Sequence, residues 1–181
     1  MEFSVASGKD VNHFDHYLYE SFRSQPTSWV MNNYIVDREN ECMAPAPEYY
    51  DLKRYLLKNA NNQVVSGISL NFNWKNKFQI ESMGYNPPNK FKSLEVLNFY
   101  IRKLPGRNPI KTFRPVMSLL DTQLSSGNFA RVFATCIPRL FNFYLYFGWK
   151  AVTKIELDSN KVLYVIQYSG LSSGALDKEA V

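Results

Sequence analysis

Glu95 is an acid inside the apolar run Leu94-Glu95-Val96-Leu97-Asn98-Phe99-Tyr100-Ile101. Burying a carboxylate is costly unless it is paired or put to use. Desolvation raises its pKa, which makes it a better base towards an amine, directly or through a water. Alternation along a strand puts Leu97, Phe99 and Ile101 on the same face as Glu95, which is not a solvated face. A second group of interest is basic. Arg107, Lys111 and Arg114 surround a turn that opens a helix, where free N–H groups and the helix dipole favour an anion such as a phosphate. Three solvated side chains would look the same in the sequence. Cys42 and Cys136 fit no metal spacing, and His13 and His16 read as helix-surface residues, so no metal site is expected. Cys136, far from any histidine, reads as an inert thiol.

The elements that must position these groups can be read from hydrophobic periodicity. Asp10 is expected to cap a helix in which Val11, Phe14, Leu18 and Phe22 share a face. Residues 24–50 show no clear period and read as a loop or short helix over a site. Residues 55–58 and 64–72 form a β-hairpin across Asn59-Ala60-Asn61-Asn62, and the Glu95 run is a strand. Thr112 is expected to cap a helix carrying Phe113, Val116, Leu119, Leu120 and Leu124, with Pro115 in its first turn. A buried strand over 130–136 leads into a short helix from Pro138 with Leu140, Phe143, Tyr144 and Phe147 as one stripe. Gly148 supplies its left-handed stop. By periodicity alone Tyr144 is core. A last hairpin spans 153–157 and 162–168. The order predicts an α/β (α+β) fold: a mixed, mostly antiparallel sheet with helices on both faces. Residues 1–169 are expected to form a single domain and 170–181 a disordered tail.

The chain has 181 residues, enough for a sizeable core, and a heavy aromatic load of 13 Phe and 12 Tyr. No apolar run is long enough to span a membrane, and the first residues lack the pattern of a secretory signal. A reduced, cytoplasmic protein is the expectation. The net charge of +5 favours an acidic partner or ligand. The basic residues are scattered, with no one-sided stripe and no nucleic-acid motif, so nucleic acid is not expected as a partner.

Asn142-Phe143-Tyr144-Leu145-Tyr146-Phe147-Gly148-Trp149 resembles the "xFYxxxGF" end of the GNAT acyltransferase superfamily. The element order over residues 50–168 resembles it too. Within the superfamily the chain looks most like the acyl-homoserine-lactone (autoinducer) synthases. The similar segments are Tyr55-Leu56-Leu57, Val64-Val65-Ser66-Gly67, Phe78 with Pro87-Pro88, the Glu95 strand, Ala134-Thr135 and Phe147-Gly148-Trp149. Asp51 and Trp29 resemble an acid and a tryptophan of that family. Two of its arginines, which belong to the adenosylmethionine-binding and acid-positioning network, fall at Asn98 and at Ser69 or Leu70. The strand from Glu95 to Phe99 is also similar to one in the thermostable-hemolysin relatives.

The resemblance implies an N-acyltransferase that moves an acyl group from a thioester donor, acyl carrier protein or acyl-CoA, to an amine. An acyl-homoserine lactone or an N-acyl amino acid would be the product. Glu95 would be the base and Tyr144 would protonate the departing sulfur, while the backbone around Tyr100 and Ile101 polarises the thioester carbonyl. Trp29, Phe99, Tyr100, Ile101, Thr135 and Phe143 would line the acyl or acceptor pocket. The glycine-rich loop that admits a coenzyme A pyrophosphate has no counterpart here. Arg107, Lys111, Thr112 and Arg114 would instead hold the single phosphate of a carrier protein's arm. No tightly bound cofactor is implied, and S-adenosylmethionine is an acceptor the family suggests. Two other readings stay open at this point. One is a non-catalytic GNAT-fold protein that binds lipid or membrane, the other a generic acetyl-CoA-dependent N-acetyltransferase.

Overall fold

The computed structural model describes residues 2–23, 33–46, 51–75, 77–102, 108–157 and 161–170. Its centre is a seven-stranded sheet in the order β1-β4-β5-β6-β7-β9-β8. These strands are β1 (Phe3–Val5), β4 (Leu52–Lys58), β5 (Val64–Asn71), β6 (Ser93–Ile101), β7 (Arg131–Cys136), β8 (Lys150–Leu157) and β9 (Lys161–Tyr168). All neighbours are antiparallel except β6 and β7. A parallel pair needs a crossover, and α3 (Pro109–Ser125) provides it. A short antiparallel hairpin of β2 (Tyr34–Asp37) and β3 (Cys42–Pro45) stands apart. It lies within the span expected to be irregular. Its turn is built by Asp37, which accepts the N–H groups of Glu39 and Asn40, a local solution that periodicity does not reveal. Trp29 and Arg107 lie outside the described residues, as does the expected tail from residue 171.

Helices cover both faces. On one, Phe113, Val116, Met117 and Leu120 of α3 pack on Ile68, Leu70, Leu94, Val132 and Ile166. On the other, Phe14 and Leu18 of α1 (Lys9–Phe22) pack on Leu56, Val64 and Tyr100. The ring of Tyr100 lies across Gly67, where an added Cβ would sit 2.5 Å from it. Beside this core, Phe78 and Ile80 meet Phe133 and Val165, bringing in the single-turn helix α2 (Gln79–Ser82). Among the described residues no helix is long and apolar enough to cross a membrane.

Three expected helix details change. α1 is capped at Gly8, and Asp10 sits in its first turn, paired with Lys58 at 2.9 Å. α3 begins at Pro109 because Asn108 caps it, its Oδ1 accepting the N–H of Ile110 at 2.9 Å. Pro115 therefore lies inside the helix rather than in its first turn. The last helix, α4 (Pro138–Tyr146), ends as expected at Gly148, with φ of 83°. Leu140 is not on its inner face: it is 42 % exposed, whereas Phe141 stacks on Tyr164 at 4.4 Å.

Candidate active site

The site is built where β6 leaves β7. Their pairing runs from Ser93–Arg131 to Glu95–Phe133 and then stops, while β7 continues against β9. Beyond Glu95 that edge of β6 has no strand partner among the described residues. Arg102 donates its N–H to Val65 on β5 at 3.0 Å, and Ser66 Oγ donates to the Tyr100 carbonyl from the same side. Since successive peptide groups along a strand point to opposite edges, the N–H groups of Phe99 and Ile101 face the gap. That of Tyr100 does not.

A β-bulge resets the faces of β6. Asn98 pairs with Ser69 and Val96 with Leu70, leaving Leu97 as the extra residue. Leu94, Val96 and Phe99 consequently share the α3 side. Glu95, Asn98 and Tyr100, the partners of Asn71, Ser69 and Gly67, share the α1 side. The expectation that Phe99 and Ile101 lie on the same face as Glu95 is corrected by this one inserted residue. The bulge itself is held by Tyr34, whose hydroxyl donates to the Leu97 carbonyl at 3.3 Å.

Glu95 is buried. Its carboxylate accepts the N–H groups of Gln79 at 2.7 Å and Ile80 at 2.9 Å, and the side-chain amide of Asn71 at 3.3 Å. Desolvation outweighs these donors and pushes its carboxyl up to about 7. A carboxylate has about four acceptor positions, so three donors leave one open, on Oε1. Around it, Gln79 Nε2 and Asn98 Nδ2 each donate to Tyr34 Oη at 3.1 Å. Arg54 donates to Asp15 at 3.0 Å, and burial lifts the Asp15 carboxyl to about 6.

On the opposite face the gap is walled by aromatic rings. Phe113 meets Phe99 at 5.1 Å, Phe143 at 4.9 Å, Tyr144 at 5.5 Å and Phe147 at 4.7 Å between centroids. Tyr144 also packs edge-on to Trp149, and burial, with Cys136 nearby, holds its phenol well above its ordinary pKa. Burial likewise pushes the Cys136 thiol up to about 11, which keeps it protonated. The residues expected to line one pocket thus divide. Phe99 and Phe143 lie on the α3 and α4 side, as does Tyr144, the expected acid. Tyr100 faces α1, and Thr135 alternates away from Ala134 and Cys136, which join the α3 core. In the sequence Phe113 reads only as a helix-core residue, Tyr34 and Gln79 carry no motif, and Asn98 and Ser69 stand out only as positions where the resembling family has arginines.

One member of the expected anion site is engaged within the helix. Thr112 is buried, and both its hydroxyl and its N–H are given to the Asn108 carbonyl at 3.2 Å, so neither is available to a phosphate. Lys111 and Arg114 are exposed on α3.

No family model matches the sequence, and no curated sequence is similar to it. The fold does have relatives. It is similar to MesI, a CoA-dependent acyl-homoserine lactone synthase, at a TM-score of 0.65 and 14 % identity, over 88 % of this chain and 80 % of that one. It is similar to a point mutant of the spermidine N-acetyltransferase SpeG of Vibrio cholerae at 0.58 and 10 %, over 93 % and 95 %. FeeM, an N-acyl amino acid synthase from uncultured soil microbes, aligns at 0.56 and 12 %, over 93 % and 95 %. The chain has the GNAT fold that these acyltransferases share. Their acceptors differ from one to the next, so the fold does not choose among them.

Proposed function

We propose that the protein is an N-acyltransferase that moves an acyl group from a thioester, carried on acyl carrier protein or coenzyme A, to an amine. The observation that carries this reading is the parting of β6 from β7 after Glu95 and Phe133. It leaves that edge of β6 without a strand partner among the described residues, with an acid on one face of the sheet and a phenol on the other. The donor's carbonyl would lie against the N–H groups of Phe99 and Ile101, which stabilise charge developing on its oxygen. The amine nitrogen bonds to the acyl carbon and the carbon–sulfur bond breaks. The amine's proton passes to the open position on Glu95, through a water where the carboxylate is out of direct reach. Tyr144 gives its proton to the departing sulfur. A pKa near 7 suits Glu95 to this exchange. The rings around Phe113 would hold the acyl chain, and Lys111 and Arg114, with Arg107, would meet the donor's phosphate.

Release of free thiol tests the reading. Purified protein is given acetyl-CoA, decanoyl-CoA or decanoyl carrier protein with a mixture of amines. Thiol release that depends on both donor and amine is expected, and its absence with all three donors would overturn the proposal.

A specific observation favours one rival. No residue of α4 is fully buried, Leu145 and Tyr146 are 42 % and 63 % exposed, and Arg139 on the same helix and Lys150 just after it are exposed as well. A protein that uses this surface to bind anionic lipid without catalysis would sediment with anionic vesicles and release no thiol.

A further inference from the structure

Ser69 and Asn98 are cross-strand partners on the α1 side of the bulge. Both are buried, and neither Ser69 Oγ nor Asn98 Oδ1 has a hydrogen-bond partner among the described residues. Two buried oxygens left without donors on neighbouring strands cost the fold stability, so they call for a use. The direction of Asn98 follows from Tyr34. The phenol's proton goes to the Leu97 carbonyl, so the groups that meet its oxygen must be donors. Asn98 therefore turns its amide nitrogen to Tyr34 and its oxygen the other way, and that oxygen can only accept.

The charges nearby point the same way. Arg54, the partner of Ser69 on β4, is held by Asp15 at 3.0 Å. One row along the sheet lies the Glu95 carboxylate, paired across the strands with Asn71. A ligand with N–H donors would satisfy these oxygens without displacing any protein hydrogen bond. A ligand with its own carboxylate would set that charge against Asn98 Oδ1 and Glu95.

We propose that Ser69 and Asn98 bind the acceptor and select an amine that carries a second N–H donor and no carboxylate, such as a diamine or an amino-acid amide, against a free α-amino acid. As acceptor selection this rests on the acyl-transfer reading above; as amine binding it stands alone. A site built to receive N–H groups discriminates strongly against a ligand that cannot supply them, because its own polar groups are then left unpaired.

Calorimetric titration of the full chain without donor separates the two. Lysinamide should bind at least about tenfold more tightly than lysine, which corresponds to about 1.4 kcal/mol. Ser69→Ala should bring that ratio close to one while leaving Tm unchanged or higher, because it removes an unpaired hydroxyl. A residue that only packs would not move the ratio. Asn98→Leu should do the same, and Ser69→Ala reads the site alone if Asn98→Leu does not fold. Equal binding of lysine and lysinamide, no binding of either, or an unchanged ratio in Ser69→Ala would overturn the proposal. Selective binding of lysinamide without thiol release from any donor would leave an amine site and remove the acyl-transfer reading instead.

Discussion

Glu95 Oε1 accepts the backbone N–H of Ile80 at 2.9 Å, so the acid expected to serve as base also anchors the first turn of α2. This double role sets the outcome of Glu95→Gln. The new amide keeps one acceptor oxygen but turns an N–H₂ donor towards N–H groups that already need an acceptor. Stability should fall by about 1–3 kcal/mol, the cost of an unsatisfied buried group. Turnover of the folded fraction should fall further, by about two to four orders of magnitude. Chemical denaturation and single-turnover rates on the same sample separate the two effects. Full specific activity in the folded fraction would leave Glu95 with the anchoring role alone.

The buried carboxyls predict how stability changes with pH. Burial raises Glu95 from 4.5 to about 7 and Asp15 from 3.8 to about 6. A raised pKa means that the folded state binds the proton more tightly than the unfolded one. The contribution is complete below the unfolded values and is lost as pH rises through the folded ones. Between pH 4.5 and 6 both groups act together, and between 6 and 7 mainly Glu95. Each can contribute a slope of up to about 1.4 kcal/mol per pH unit. Urea titrations across this range should show stability falling with pH, and Asp15→Asn should flatten the lower part. A stability that rises steadily from about pH 4.5 to 7 would contradict these assignments.

Much of the fold is legible in the sequence because its signals are local. The hairpin of β4 and β5, the Glu95 strand, the Phe143–Phe147 stripe and the Gly148 stop each follow from spacing within a few residues. The face assignment fails at Leu97 because a bulge is specified by both strands at once, and the spacing within β6 is the same with or without it. The start of α3 is misplaced because Asn108 and Thr112 are both good caps, and Pro109 decides between them only when the two are compared. The polar cluster of Tyr34, Ser69, Gln79 and Asn98 is not visible as a cluster, although Asn98 and Ser69 are marked as positions where the resembling family has arginines. Its members come from four separate segments and meet only when the sheet forms. Glu95 stands out because an acid in an apolar run is anomalous in the sequence itself.

Tyr144→Phe tests the proposed acid. The ring packs against Phe113 and Trp149, and the substitution keeps those contacts while removing the hydroxyl. The Tyr144 hydroxyl makes no hydrogen bond among the described residues, so Tm should stay within a few degrees. If the phenol protonates the sulfur, kcat should fall by about two orders of magnitude with KM little changed. Stopped-flow detection of thiol measures this directly. Unchanged kcat would assign Tyr144 to packing.

The donor's charge gives the last prediction. Lys111 and Arg114 lie three residues apart on the exposed side of α3, within the first two turns after its start at Pro109. Residues three apart in a helix project from the same side, so their charges add towards a ligand approaching the start of α3. Thr112 cannot assist, having given its hydroxyl and N–H to Asn108. The site would then act through charge rather than a close backbone cradle, which suits a single phosphate on an acidic carrier better than a pyrophosphate. Association steered by charge weakens as salt shortens its range, from about 10 Å at 0.1 M to about 3 Å at 1 M. For decanoyl carrier protein, kcat/KM should fall steeply over that range. Lys111→Glu and Arg114→Glu should each raise the donor's KM several-fold with less effect on kcat, and should flatten the salt dependence. Decanoyl-CoA should respond more weakly, because it lacks the carrier's acidic surface. Equal salt responses for the two donors, unaffected by either reversal, would show that this face of α3 does not receive the donor.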